Sequence, residues 1–426
     1  MISKRKAARL LCASLAVASA SGAGPAGAAS VEFLTKLTAP GGAADDQFGI
    51  SVALSGTTAI VGAQGRNAST GAAYLFDAAT GEHRATLTAT DGSAGDDFGY
   101  TVGLDGTTAL VSARGSAEGR GAAYLFDTAT QAQFGKLTAD DGAPGDRFGN
   151  SVALDGGVAA VGAVGDDRFR GSAYLFDVDT ATQLRKLQAD DGRREDAFAS
   201  FVAIEGDNVL VGSRLDDDNG PNSGSAYLFD ATTGAQRSKL TASDGRGIDE
   251  FARYVALEGD TALIGARRDN DDGYESGSAY LFDIADPLPA RTERLKLTAP
   301  DAQTGDRFGR SVTLDGDLAL IGAFRDDDNG VDGGSAYLFD ATTGDMLSKI
   351  LAPDGAADDE FGYYVSIAGD LLLIGAPFHD VAGRSDQGAA YLFRVNDAVV
   401  PLPASAWFSL LGLGAIALVG LGRRTA

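Results

Sequence analysis

A sevenfold repeat limits what this chain can fold into more than any other feature. The tetrapeptide Tyr-Leu-Phe-Asp begins at Tyr74, Tyr124, Tyr174, Tyr227, Tyr280 and Tyr337, and a seventh copy ending in arginine begins at Tyr391. The intervals run from 50 to 57 residues. A period of this size marks a solenoid, propeller or array whose units cannot bury their apolar faces alone. It overrides the two or three separate domains that 426 residues would otherwise suggest.

Each unit holds four short strand-like segments, a to d. In the second unit they are FGYTVGL from Phe98, TTALVSA ending at Ala113, AAYLFD ending at Asp127, and QFGKLTA ending at Ala139. A tiny turn at Asp105-Gly106 joins a to b, and every unit has a glycine at the equivalent place, where a tight hairpin needs positive φ. Segments c and d are joined by similar turns, so all four should pair antiparallel. Segments b and c are apolar on both faces, as expected of sheets sandwiched between other sheets. Four-stranded sheets stacked around an axis form a β-propeller. Segments a, b and c each occur seven times, but no d follows the seventh c. Its counterpart is EFLTKLTA, Glu32 to Ala39, which should complete the last blade and leave no open edge. The expected fold is therefore all-β: a seven-bladed propeller of four-stranded antiparallel blades over residues 32–396, closed by the N-terminal strand.

Segment a opens with Phe48-Gly49, Phe98-Gly99, Phe148-Gly149, Phe308-Gly309 and Phe361-Gly362, while Phe198 and Phe251 precede alanine. Segment b ends in Gly62-Ala63, Gly162-Ala163, Gly265-Ala266, Gly322-Ala323 and Gly375-Ala376-Pro377. Seven such pairs in register resemble the FG-GAP repeats that build the seven-bladed head of integrin α chains. The resemblance implies a binding or adhesion domain. It does not carry over that family's calcium loop between the first two strands, because the turn here has no room for six or more oxygen ligands.

Alternating strand directions put the b–c and d–a loops on one rim, where most clustered aspartates fall. Asp46, Asp96, Asp146, Asp196, Asp249, Asp306 and Asp359 each stand two residues before the segment-a phenylalanine. Presence in every unit favours a turn-shaping role, through bonds accepted from backbone N–H groups, over metal binding. Three b–c loops are richer in acid: Asp216, Asp217 and Asp218; Asp269, Asp271 and Asp272; Asp326, Asp327 and Asp328. None fits the EF-hand pattern, because Leu215, Arg268 or Arg325 stands at the first position and no glutamate closes the loop. Two readings stay open. One is weak Ca²⁺ binding in another geometry, the only cofactor the sequence suggests. The other is solvated turns partly neutralised by Arg214, Arg267, Arg268 and Arg325.

Both ends read as processing signals. Residues 1–29 have the basic start, short apolar run and small-residue end of a signal peptide, and contain the only cysteine, Cys12. From Ala404 to Leu421 the chain is uncharged, and Arg423 and Arg424 follow, which is the pattern of a membrane helix with a positive stop. With Val400, Pro401, Leu402, Pro403 and Ala404 ahead of it, segment 400–426 resembles the VPLPA variant of the PEP-CTERM sorting signals. That resemblance implies an exosortase-like peptidase as partner, transient anchoring in an inner membrane of Gram-negative type, and delivery to the cell surface or extracellular matrix.

The net charge is −24, and loss of the six basic residues at the ends leaves a body of about −30. A body so acidic does not bind nucleic acid. The expected function is a non-enzymatic surface that binds an unidentified protein or glycan. The alternatives are a hydrolase or lyase acting on extracellular polysaccharide and a purely structural matrix component. Only two histidines, His83 and His379, occur, and no nucleophile motif stands out.

Overall fold

The computed structural model describes residues 29–285 and 292–396. The leader, the Val400–Ala404 motif and the apolar run after it lie outside the described residues. Twenty-eight strands form seven four-stranded antiparallel sheets, each with its strands in the order a, b, c, d. Blade 2 is typical, with a at Phe98–Asp105, b at Thr108–Ala113, c at Ala122–Asp127 and d at Gln133–Leu137. Strand a begins later in blades 1, 5 and 7, at Val52, Val255 and Val365. Strand d of blade 5 shrinks to Leu295–Leu297.

Blade 7 takes its fourth strand from the other end of the chain. Ser30–Leu37 pairs antiparallel with Ala389–Asn396, setting Leu37 opposite Ala390 and Lys36 opposite Tyr391. Strand a of each blade packs against strand a of its neighbours around the axis, and strand d lies outermost. The c strands explain the two-sided apolar pattern. In blade 1, Leu75 and Ala73 face the next blade and pack on Phe98, Val111, Tyr124 and Phe126. The same layer joins blade 7 to blade 1, where Leu373 and Leu392 meet Phe48, Tyr74 and Phe76. In every blade the segment-a phenylalanine sits edge-on or tilted against the tyrosine and phenylalanine of strand c, as Phe48 does with Tyr74 at 5.4 Å and Phe76 at 5.9 Å.

The paired glycines are where neighbouring blades touch backbone to backbone. Gly99 has φ +88°, and a Cβ on it would lie 2.3 Å from the carbonyl oxygen of Ala72 in blade 1. A Cβ on Gly62 would lie 2.0 Å from the carbonyl oxygen of Gly99. Neither obstacle is a side chain that could swing away. Gly62→Ala should therefore cost about 1–3 kcal/mol through forced separation of two blades. A urea midpoint equal to that of the unaltered protein, followed by circular dichroism, would show that this contact does not hold the blades at their spacing.

Candidate functional site

The rim carrying the b–c and d–a loops is built in two layers. The outer layer is a repeated ionic lattice. The segment-c tyrosine hydroxyl donates to the aspartate seven residues before the segment-a phenylalanine, as Tyr124 does to Asp91 at 2.9 Å and Tyr337 does to Asp301 at 2.8 Å. The strand-d lysine directly opposite that tyrosine reaches the same carboxylate. Lys136 lies 2.5 Å from Asp91, and Lys36 lies 2.6 Å from Asp354. Tyrosine, aspartate and lysine meet this way in blades 2 to 7. In blade 1 the aspartate's place is Gly41 and the lysine's is Thr86, and the buried Tyr74 hydroxyl has no partner. The local cation there is Arg66, 3.0 Å from Asp46.

The seven aspartates two residues before the segment-a phenylalanine are buried. Each accepts a hydrogen bond from the backbone N–H three residues earlier, at 2.5–2.9 Å. Burial pushes the carboxyls of Asp249 and Asp306 up to about 6.

The three acid-rich loops close on an internal ammonium. Lys349 lies 2.7 Å from Asp301, 2.8 Å from Asp326 and 2.6 Å from Asp328. Lys296 reaches Asp244, Asp269 and Asp271 in the same way, and Lys239 reaches Asp191, Asp216 and Asp218. Asp216, Asp269 and Asp326 also accept the hydroxyl of Tyr227, Tyr280 and Tyr337 at 2.6–2.7 Å. Asp217 and Asp327 accept backbone N–H groups within their own loops, and Asp272 is exposed. The clustered aspartates are thus held by these strand-d lysines, while two of the four arginines expected from the sequence, Arg268 and Arg325, meet other acids of their own loops, Glu275 and Asp332. Arg268 pairs instead with Glu250 and Glu275, and Arg325 stands 3.8 Å from Glu360. Arg214 and Arg267 belong to the inner layer.

That inner layer surrounds the axis. The second residue after the segment-a phenylalanine lines it in every blade, joined by the residue after strand b in blades 2 to 4 and by Arg147 just before Phe148. The identities change from blade to blade, as in Ile50, Asn150 and Arg253. The result is a cavity of about 170 Å³ lined by Arg114, Arg147, Arg214, Arg253 and Arg310. Tyr100, Tyr254, Tyr363 and Tyr364 also line it, with Asn150 and Ser200 among its smaller polar groups, and no carboxylate takes part. Phe201 and Tyr364 border both this cavity and the valine-lined channel below, so they form its floor.

Arg310 is 3% exposed. Its guanidinium carbon lies 4.0 Å from the ring centre of Tyr363 and 4.5 Å from that of Tyr254, within cation–π range. Its Nη1 has no hydrogen-bond partner, and among the described residues it has no ion pair. Arg114 stacks on Tyr100 at 3.5 Å. Behind the wall, one buried carboxylate, Glu250, is shared by Arg253, Arg267 and Arg268 at 3.0–3.4 Å. Burial and the neighbouring Arg253 push Arg267 down to about 9 and lower Arg214 as well. Asp97 pairs with Arg114 at 3.5 Å and Glu250 with Arg253, whereas Arg147, Arg214 and Arg310 have no ion pair among the described residues. The sequence signal for this cluster was available in the positions that vary among otherwise matching repeats, but the acidic loops dominate a reading by composition.

A family model described as FG-GAP repeat matches seven successive segments: residues 32–76, 82–126, 132–176, 181–229, 235–282, 292–339 and 346–393. Each match runs from strand d of one blade through strand c of the next. A search of curated proteins finds no match.

Proposed function

The chain belongs to the FG-GAP repeat family, and from that premise we propose that it is an exported propeller that binds a partner at the axial mouth of its loop-bearing rim. The observation that carries this reading is the division of labour within the repeat. Residues that build the blades are nearly the same seven times over, while those facing the mouth differ in almost every blade. A scaffold that concentrates its side-chain diversity in one concave place is suited to recognition. Binding is favoured over catalysis because, among the described residues, no histidine, cysteine or carboxylate lines the mouth. Burial also raises the hydroxyls of Tyr100 and Tyr364, which keeps them protonated at neutral pH and leaves no phenolate to act as a general base.

Export rests on the leader at 1–29 and on the tail at 400–426, read as a sorting signal that an exosortase-like peptidase removes at the membrane. A chain ending before Val400 should leave the membrane fraction and remain folded. The full chain, incubated with extracellular matrix from the producing cells, should be retained saturably without releasing sugar fragments. A truncated chain that still sediments with membranes would overturn the anchoring. Steady release of reducing ends or unsaturated sugars would overturn binding in favour of a hydrolase or lyase.

A further inference from the structure

We propose that the axial mouth recognises the carboxylate of an acidic sugar, a uronate unit carried on an extracellular glycan; this rests on the binding reading above. The first argument is the inversion of charge. A chain of net charge −24 lines one cavity with five arginines and no carboxylate. The scaffold does not require them, because blades 1 and 3 place Ile50, Gln64, Asn150 and Val164 at corresponding positions. Asp97 and Glu250 pair with Arg114 and Arg253 from outside the lining, but Arg147, Arg214 and Arg310 have no ion pair among the described residues, and guanidiniums gathered round one cavity are unfavourable unless an anion joins them.

The second argument is the unsatisfied donor. Arg310 borders the cavity, and its buried Nη1 has no partner. A buried donor left unpaired carries a desolvation penalty that an incoming oxygen atom relieves. The planar guanidinium, held between Tyr254 and Tyr363, is already oriented for a carboxylate.

The third argument is shape. The volume equals that of roughly five or six water molecules, enough for one ring-sized group. Tyrosine rings offer faces to the C–H side of a sugar, while Asn150 and Ser200 can meet its hydroxyls. An acidic peptide fits less well. Its carboxylates sit on flexible chains that present no ring face to the tyrosines of the lining.

The full chain is titrated calorimetrically with tetragalacturonate, with its carboxyl-reduced neutral counterpart, and with tetraglutamate. Only tetragalacturonate should bind. Arg214→Gln should weaken that binding about 10- to 100-fold, the range for loss of one charge-assisted hydrogen bond. Arg310→Lys should weaken it comparably, because an ammonium keeps the charge but not the planar fork. Arg246→Gln, on the exposed outer rim, should leave it unchanged. Should the Arg310 variant fail to fold, Arg214→Gln alone decides. Equal binding of the neutral sugar, equal binding of tetraglutamate, or an unaffected Arg214→Gln would each overturn the assignment. Matrix retention that survives Arg214→Gln would sink the uronate while leaving surface binding intact. Absence of any retention by the unaltered chain would sink both.

Discussion

Deleting Ser30–Leu37 should remove most of the stability of the propeller, a loss above about 5 kcal/mol against the 5–15 kcal/mol typical of a folded domain. The strand closes the ring by pairing along its length with Ala389–Asn396. Without it, strand c of blade 7 becomes an open edge with unpaired N–H and C=O groups, a template for aggregation. Leu37 also leaves the core between blades 7 and 1, Phe33 leaves Phe393 at 5.6 Å, and Asp354 loses the ammonium of Lys36. The ring is one cooperative circuit, so the damage does not stay in one blade. Circular dichroism is the suitable probe, because the only tryptophan, Trp407, lies outside the propeller. A deleted chain that melts with the full chain and stays monomeric would mean that closure does not depend on this strand.

The second large effect is expected at Lys349. Replacing it with methionine leaves Asp301, Asp326 and Asp328 facing one another without their shared cation. Asp326 is 3% exposed, so water cannot take over the role of the ammonium. Breaking a buried ion pair from one side costs about 3–5 kcal/mol, and the exposure of Asp301 and Asp328 places this case at the lower end, about 3 kcal/mol. Calcium sharpens the test. The carboxylate oxygens of these three residues lie within 4.8 Å of one another, a set of hard oxygen ligands. In the unaltered protein calcium has to displace Lys349, so millimolar calcium should barely move its melting temperature. In Lys349→Met it should restore several degrees that a chelator removes again. Equal calcium responses in the two proteins would show that the ammonium does not hold that space.

The ionic lattice shows how far a linear reading reaches. Asp328 and Lys349 are 21 residues apart, and Asp301 is 48 residues from that lysine. Nothing in the acidic loop itself names its counter-ion. The partner is set by register: an irregularity between Leu338 and Phe339 in the pairing of strands c and d still leaves Lys349 opposite Tyr337, and so beneath the loop. An arginine next to the aspartates in sequence, such as Arg214, was the obvious candidate. It points to the axis because it follows directly after strand b.

What the sequence determined alone was the architecture. Seven copies of one pattern, each apolar on both faces of its middle strands, have no stable arrangement except stacked sheets. A missing last strand matched by a spare first one specifies how they close. The paired glycines were equally legible as the places where backbones of neighbouring blades approach most closely, even though Ala199, Ala252 and Ser112 take the equivalent places in other blades. Only the tertiary structure decided where the residues that vary between repeats gather. Residues such as Arg114, Arg214 and Arg310 belong to different blades and are separated by about a hundred positions along the chain. They become neighbours because ring closure brings the start of every strand a to one axis. There Arg310 and Arg114 stack on tyrosine rings, and Nη1 of Arg310 is left without a partner.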